Sequence, residues 1–428
     1  MKLMKHNFLA ILVLAFIINA CTNDSSSEKK LPQPDPDNAG IKLPEGFGAI
    51  VTADNLGKGR HIAVNDNGDL YVKLRRLKDG HGIIALRDND GNGIMDEQKG
   101  FMPYGGTGLG IHNGYLYCSS DSNVYRYKFK EGELVPSSEM ELIATGFPKQ
   151  GPHAAKPITF DNDGHMYVTI GAPVNAGEEK AFSVESNGVD PSPYITRQAG
   201  IWQFDANEPN QNQQEAYHYA TGVRNAMAMD WNSETNALYA VNHGRDQLSV
   251  FWPKVFTPEQ NANLPGEQFI KINKDQDYGW PYCYYDAEQG KQMVGPEFGG
   301  DGTKTERCEG IEPALLGLPA HTAPNDLIFY TGDMFPERYK NGAFVALHGS
   351  WNRAPFPQMG YSVVFIPFKN GKPTGEYEEF ATGIGGKDEI NSPKDAMYRP
   401  TGLAQGPDGS LFICDSVKGR IWRIYYYK

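Results

Sequence analysis

The chain has 428 residues, 39% hydrophobic and 21% charged, with 40 basic against 52 acidic side chains and a net charge of −12. No basic cluster interrupts that balance, which excludes nucleic acid as a partner. Beyond residue 20 no apolar run is long enough to span a bilayer.

Lys2 and Lys5 precede an apolar run from Phe8 to Ile18, followed by Asn19, Ala20 and Cys21, which is the form of a secretory leader. A small residue directly before a cysteine resembles a bacterial lipobox. The expectation is a signal peptide over residues 1–20, a lipid-modified Cys21, and a flexible tether over residues 21–40, rich in Ser, Pro, Asp and Lys. The globular part would run from 41 to 428 and sit in the cell envelope, periplasmic or at the cell surface, touching the membrane through its lipid alone. An uncleaved transmembrane anchor is disfavoured by the shortness of the run.

Repeats fix the fold class. Six segments share the order apolar, x, apolar, turn, apolar, x, apolar: Ile62 to Val72, Leu109 to Cys118, Ile158 to Val168, Met227 to Ala240, Leu327 to Leu347 and Leu403 to Ile413. Each is followed by a further strand candidate, beginning at Gly82, Asn123, Gly200, Glu267, Tyr361 and Gly419. Units of three or four short strands predict an all-β, six-bladed β-propeller with long inserts in its third to fifth blades. The run Ala144-Thr145-Gly146 recurs at Ala220 and Ala381 and marks where one blade hands over to the next.

After the first blade's third strand, Asp88, Asp90, Asn92 and Asp96 fall at positions 1, 3, 5 and 9 of an EF-hand-like loop with Gly93 at position 6, but Lys99 stands where the bidentate Glu belongs. The loop reads either as a calcium site that structures one insert or as a cluster of Asp and Asn turns. It is not the catalytic metal.

The third blade opens with PHAAKPITFDNDGHMYVTIG, residues 152–171, in which His153 stands in a loop directly ahead of a hairpin turning at Asp163 and Gly164. Propeller geometry puts the handovers and the loops between second and third strands on one face. His153, Arg224 and Arg399 each follow a handover there and aim an imidazole and two guanidiniums toward the axis. The same face receives loops rich in Gly, Asn, His and Arg, a collection suited to an anionic or oxygen-rich ligand. Singly, His153 reads as a structural hydrogen bonder and the arginines as rim salt bridges; their equivalent positions in different blades carry the functional reading.

Four cysteines remain beyond Cys21. Cys283 and Cys308 bracket one insert and are the favoured disulfide. Cys118 and Cys414 fall at the same point of two repeats, as buried thiols or as a second bridge.

The 152–171 run, ATGVRNAMAMDW from Ala220, YGWPYC from Tyr278, FVALHGSWNR from Phe344 and YRPTGLAQGPDGSLFICD from Tyr398 resemble the glucose and sorbosone dehydrogenases, soluble propeller enzymes dependent on pyrroloquinoline quinone. The resemblance covers roughly residues 45 to 427. It implies oxidation of a sugar, sugar aldehyde or related alcohol, with electrons passed on to a downstream acceptor. His153 would be the general base, Arg224 would stabilise charge on the reduced quinone, and Asn225, His243 and Thr322 would touch the cofactor. Backbone carbonyls of Gly244 and Arg245 would hold a calcium ion. Arg399 and either His348 or Arg353 would face the cofactor's carboxylates. Pro152 stands where the glucose enzymes carry a carboxylate, and LHGSWNR lacks their cofactor-binding lysine, which leaves the substrate open.

Two other functions compete. A calcium-dependent lactonase shares the six-bladed form but needs an axial set of Glu, Asn and Asp where His and Arg stand here. A catalytically silent surface propeller that binds sugar or protein is separated from the dehydrogenase by quinone-dependent dye reduction.

Overall fold

Alternating apolar residues in each repeat bury one sheet face against the preceding blade and the other against the next, so the sheets can close only as a ring. The computed structural model describes residues 31–427, in which this ring has six blades. The leader and the lipidation expected at Cys21 lie outside the described residues.

Strands run from the axis outward. Blade 1 comprises Gly59–Val64, Leu70–Lys78, His81–Arg87 and Glu97–Phe101, and blade 2 Leu109–His112, Tyr115–Ser119, Val124–Lys128 and Met140–Thr145. Blade 3 comprises Ile158–Phe160, His165–Ile170, Gly200–Asp205 and Tyr217–Thr221, and blade 4 Ala228–Asn232, Ala237–Asn242, Glu267–Ile272 and Leu316–Leu318. Blade 5 comprises Pro324–Phe329, Ala343–Leu347, Ser362–Ile366 and Glu378–Ala381. Blade 6 takes Pro400–Gln405, Leu411–Asp415 and Ile421–Tyr426 from the C-terminus and its outer strand, Phe47–Ala53, from the N-terminal side of the ring. That antiparallel pairing, Phe47 opposite Tyr426, closes the circle and is invisible in the repeats.

Apolar side chains dominate the inter-blade layers: Tyr167, Ile201, Met229, Ala240 and Ile270 pack between blades 3 and 4, and Phe47, Phe344, Phe380 and Trp422 between blades 5 and 6. The tight turn predicted at Asp163 and Gly164 is present, with the Asp161 carboxylate accepting from the backbone N–H of Asp163 and His165.

The insert after blade 4's third strand climbs the outside of blade 3, where Gln276–Asp277 pairs in parallel with Tyr217–Thr221, and reaches the handover face at Trp280. Cys283 and Cys308 are joined by a disulfide within it. Cys118 and Cys414 are buried free thiols, in the second strands of blades 2 and 6.

Candidate active site

His153 follows the blade 2 handover in a left-handed backbone conformation, φ 49°. Such a conformation is costly for a residue with a Cβ and has to be held by its surroundings. Here the Gln150 side-chain amide donates to the carbonyls of Pro152, His153 and Gly171 at 2.9–3.0 Å. Gly171 is glycine because an added Cβ would stand 2.5 Å from the His153 Cβ. The imidazole's Nδ1 lies 2.7 Å from the Ala172 carbonyl, which can only accept, so Nδ1 carries the proton and Nε2 keeps its lone pair. Burial, then the Arg224 charge, push its pKa down to about 3, which keeps the ring neutral.

Arg224 is buried and almost fully engaged. Nε donates to the Asn175 carbonyl, Nη1 to the Gly244 carbonyl, and Nη2 to Asn175 Oδ1 and Asp246 Oδ2, all at 2.9 Å. One N–H remains free of a fork that sequence reasoning had left open to a ligand. Asp246, held below its ordinary range by Arg224 against the opposing effect of burial, also accepts from Asn352 Nδ2 at 2.5 Å. Asn175 and Asp246 thus tie blades 3, 4 and 5 together around His153. Both lie in loops that the sequence marked as functional, but no motif singled them out.

Six of the residues expected at the cofactor or at calcium make their bonds within the chain. Asn225 Nδ2 donates to His243 Nδ1 at 3.1 Å, while His243 Nε2–H donates to the Pro324 carbonyl at 2.6 Å. Thr322 is 1% exposed and its hydroxyl donates to the Pro319 carbonyl, so it faces its own turn. Arg353, expected as a counter-charge, donates to the carbonyls of Pro357 and Ala262 and holds its own loop. The Gly244 carbonyl, expected as a calcium ligand, accepts from Arg224, so a cation seated on it would oppose a guanidinium. The Arg245 side chain is buried against Glu297, and Glu267, raised to about 7 by burial, accepts from the backbone N–H of Gly244 and Ala323.

Arg399 stands where the sequence put it. Asp415 accepts from its backbone N–H and from those of Val417, Lys418 and Gly419, and the guanidinium donates to the carbonyls of His348 and Gly349. His348, its pKa lowered by burial and by Arg399 and Arg60, shares a 2.8 Å hydrogen bond with Ser416.

The residue that sequence reasoning missed is Arg60, near the start of blade 1's inner strand, Gly59–Val64. The echo that marked other handovers is absent there, because the preceding outer strand comes from the N-terminal side of the chain. Arg60, Arg75, Arg399, His348, Lys58 and Lys394 line one cavity of about 310 Å³ on the His153 face. Arg75 Nη1 donates to both carboxylate oxygens of Asp121, at 2.7 and 2.8 Å. Arg60 Nε is buried without a hydrogen-bond partner among the described residues, and burial, then Arg75 and Arg399, pull its pKa down to about 10. A desolvated guanidinium beside two others is an unfavourable arrangement that an anion relieves.

A larger cavity of about 450 Å³ runs along the axis to the opposite face, lined by His61, Thr159, Asp230 and Asp326. It is separate from the site, since its lining comes from the lower halves of the inner strands. On that opposite face carboxylate oxygens of Asp88, Asp90 and Asp96 lie within 4.8 Å of one another, while Asn92 Oδ1 accepts from the backbone N–H of Ile94.

A family model described as TrAA12-like matches residues 41–427. An uncharacterized protein of Borreliella burgdorferi is 29% identical over 402 residues, which is 91% of each chain. A pyrroloquinoline quinone-dependent pyranose dehydrogenase of Coprinopsis cinerea is 31% identical over 222 residues, covering 45% of this chain and 28% of that protein. The holo form of a pyranose dehydrogenase PQQ domain from the same fungus superposes with a TM-score of 0.71 at 18% identity, over 92% of this chain and 98% of that one, a likeness of fold.

Proposed function

Because this chain belongs to the TrAA12-like family, we propose that it is a quinoprotein oxidoreductase that oxidises a pyranose sugar with pyrroloquinoline quinone. The single observation that carries the reading is the cavity lined by Arg60, Arg75 and Arg399 on the same face as His153, with the Arg60 Nε buried and unpartnered. Pyrroloquinoline quinone bears three carboxylates, and planar guanidinium forks are the side chains best matched to them. Arg60, Arg75, Arg399 and His348 would hold it. The relatives' pyranose dehydrogenase activity favours a pyranose over the sorbosone-type substrates to which the sequence also points.

Pyrroloquinoline quinone, when bound, supplies the two-electron acceptor for hydride from the carbon that bears the sugar hydroxyl. His153 takes the hydroxyl proton at Nε2, the nitrogen left with its lone pair, while Nδ1–H on the Ala172 carbonyl fixes the ring plane. Anionic charge in the basic cavity opposes the Arg224 effect and raises the His153 pKa, making it a stronger base once the site is loaded. Arg224 has one N–H left to offer and otherwise holds the loops of Asn175, Gly244 and Asp246 in place.

Calcium fits the chain unevenly. Asp88, Asp90 and Asp96 offer the hard oxygen donors it requires, and an ion there would brace the blade 1 loop against the ring-closing strand, to which it is already joined by Thr52 Oγ1 on the Gly93 carbonyl. At Gly244 the carbonyl already accepts from Arg224, so an ion seated there would stand beside a guanidinium.

Reduction of an artificial dye by purified protein given pyrroloquinoline quinone and a panel of pyranoses tests the reading. Saturable cofactor binding with sugar-dependent dye reduction is expected; binding without turnover on any sugar leaves the silent sugar-binding propeller.

A further inference from the structure

Trp351 is the exposed aromatic of the loop between the second and third strands of blade 5, with 52% of its surface open. The flanking residues hold the loop that carries it. On one side Gly349 accepts from Arg399 Nη2 at 2.5 Å and His348 shares a 2.8 Å bond with Ser416. On the other, the buried Asn352 donates to Asp246 at 2.5 Å and accepts from Asn261 Nδ2 at 2.8 Å. Asp246 in turn pairs with Arg224, next to His153. The loop therefore spans from the basic cavity to the proton-accepting side of the site, with Trp351 between these two anchors in the chain.

We propose that Trp351 is the stacking platform for the sugar ring, a specificity-determining residue of the active site. The proposal rests on the pyranose oxidoreductase reading. A pyranose has one face of axial C–H groups, which packs on an aromatic face, and a rim of hydroxyls, which needs hydrogen bonds. An indole gives the flat apolar face and a single N–H for the rim. Its position between Arg399 and Asp246 suits a ring that must present one carbon to the cofactor and one hydroxyl to His153. A protein partner would call for a continuous apolar patch, whereas the residues directly beside Trp351 are Ser350, Asn352 and Arg353.

Trp351→Ala, Trp351→Phe and Trp351→Leu in the full chain loaded with pyrroloquinoline quinone provide the test, with KM and kcat measured on D-glucose, D-galactose and cellobiose. Trp351→Ala is expected to raise KM about tenfold with kcat little changed, Phe to restore most of the loss, and Leu, similar in bulk but not flat, to restore little. Cofactor affinity and melting temperature should stay at wild-type values. An unchanged sugar KM in Trp351→Ala, or a raised KM for the electron acceptor alone, overturns the proposal. Saturation-transfer NMR with the same three sugars on cofactor-free protein separates the two readings. If the loaded wild type oxidises no sugar but binds one through Trp351, the dehydrogenase reading falls and the platform stands; equal transfer in wild type and Trp351→Ala, or none in either, removes the platform.

Discussion

Arg60→Met removes the one guanidinium of the basic cavity whose Nε is buried and unpaired, and the expected result is a protein more stable when empty and worse at binding its cofactor. The charge is held at a pKa of about 10 against an ordinary 12.5. At about 1.4 kcal/mol for each pKa unit, keeping it costs the cofactor-free fold about 3 kcal/mol as an upper bound. Methionine fills a similar volume without charge, so part of that cost is recovered. With an unfolding entropy of about 2 cal/mol/K per residue, a domain of this size should melt about 3 °C higher. Loss of a desolvated charge pair to a quinone carboxylate costs about 2–5 kcal/mol, so the pyrroloquinoline quinone dissociation constant should rise about 30-fold or more. Differential scanning calorimetry of the empty proteins and cofactor titration by absorbance measure both. Citrate, a tricarboxylate, should raise the wild-type melting temperature and leave the variant's nearly unmoved. An unchanged cofactor affinity together with a lowered melting temperature would make Arg60 a structural residue and would falsify the anion-site argument.

His153→Gln should keep cofactor affinity and fold while lowering kcat about 10²- to 10⁴-fold, and full activity on every sugar the wild type oxidises removes His153 from the mechanism. Asp246→Ala strips the buried Arg224 of its carboxylate, so the melting temperature should drop by the equivalent of about 3 kcal/mol; a smaller loss than in an exposed ion-pair control such as Glu378→Ala refutes that role. Calcium should raise the melting temperature of the wild type but not of Asp88→Asn/Asp90→Asn, and elemental analysis finding equal calcium in both sends the loop back to a set of turns. Asp326 in the axial cavity is raised from 3.8 to about 8 by burial, so the folded state holds a proton that the unfolded state releases, and stability falls as pH climbs from about 4 to about 8, by about 1.4 kcal/mol per unit. Asp326→Asn should therefore gain on wild type as pH rises from 5 to 8, and parallel melting curves across that range refute the assignment.

The six inner hairpins could be read from sequence because each is local: Ile158 to Val168 carries its alternation and its Asp-Gly turn within a dozen residues, and the structure pairs Ile158 with Val168 as that pattern requires. The closing strand could not, since Phe47–Ala53 pairs across the length of the chain with Ile421–Tyr426 and its own residues repeat nothing. The same gap hid Arg60, whose handover lacks the Ala-Thr-Gly echo. His153 and Arg399 were legible as positions in the repeat. What Arg224 does was not, because its direction is decided by Asn175 and Asp246, which arrive from loops with no periodicity of their own. Polar partners of that kind are set by loop conformation, and residue type alone leaves a buried arginine free to face a ligand or a neighbouring carbonyl.

The two departures from the glucose enzymes have physical substitutes elsewhere in the ring. The carboxylate missing at Pro152 has a counterpart in Asp246, which reaches the His153 neighbourhood from blade 4 and raises the histidine's pKa against Arg224. Cationic charge missing from LHGSWNR is provided by blade 1, through Arg60 and Arg75, and by Lys394 before blade 6. Both changes move charge around the axis without moving the axis, which a propeller permits because every inner-strand head meets at the same mouth. A consequence follows for stability. In a chain of net charge −12, the Arg60 guanidinium stands near those of Arg75 and Arg399, while Asp121 is committed to Arg75 and Asp415 to the backbone N–H groups around Arg399 and Lys418. The empty ring therefore carries a local repulsion that only an anion relieves. An anion that binds between these guanidiniums would therefore raise resistance to unfolding along with its own occupancy.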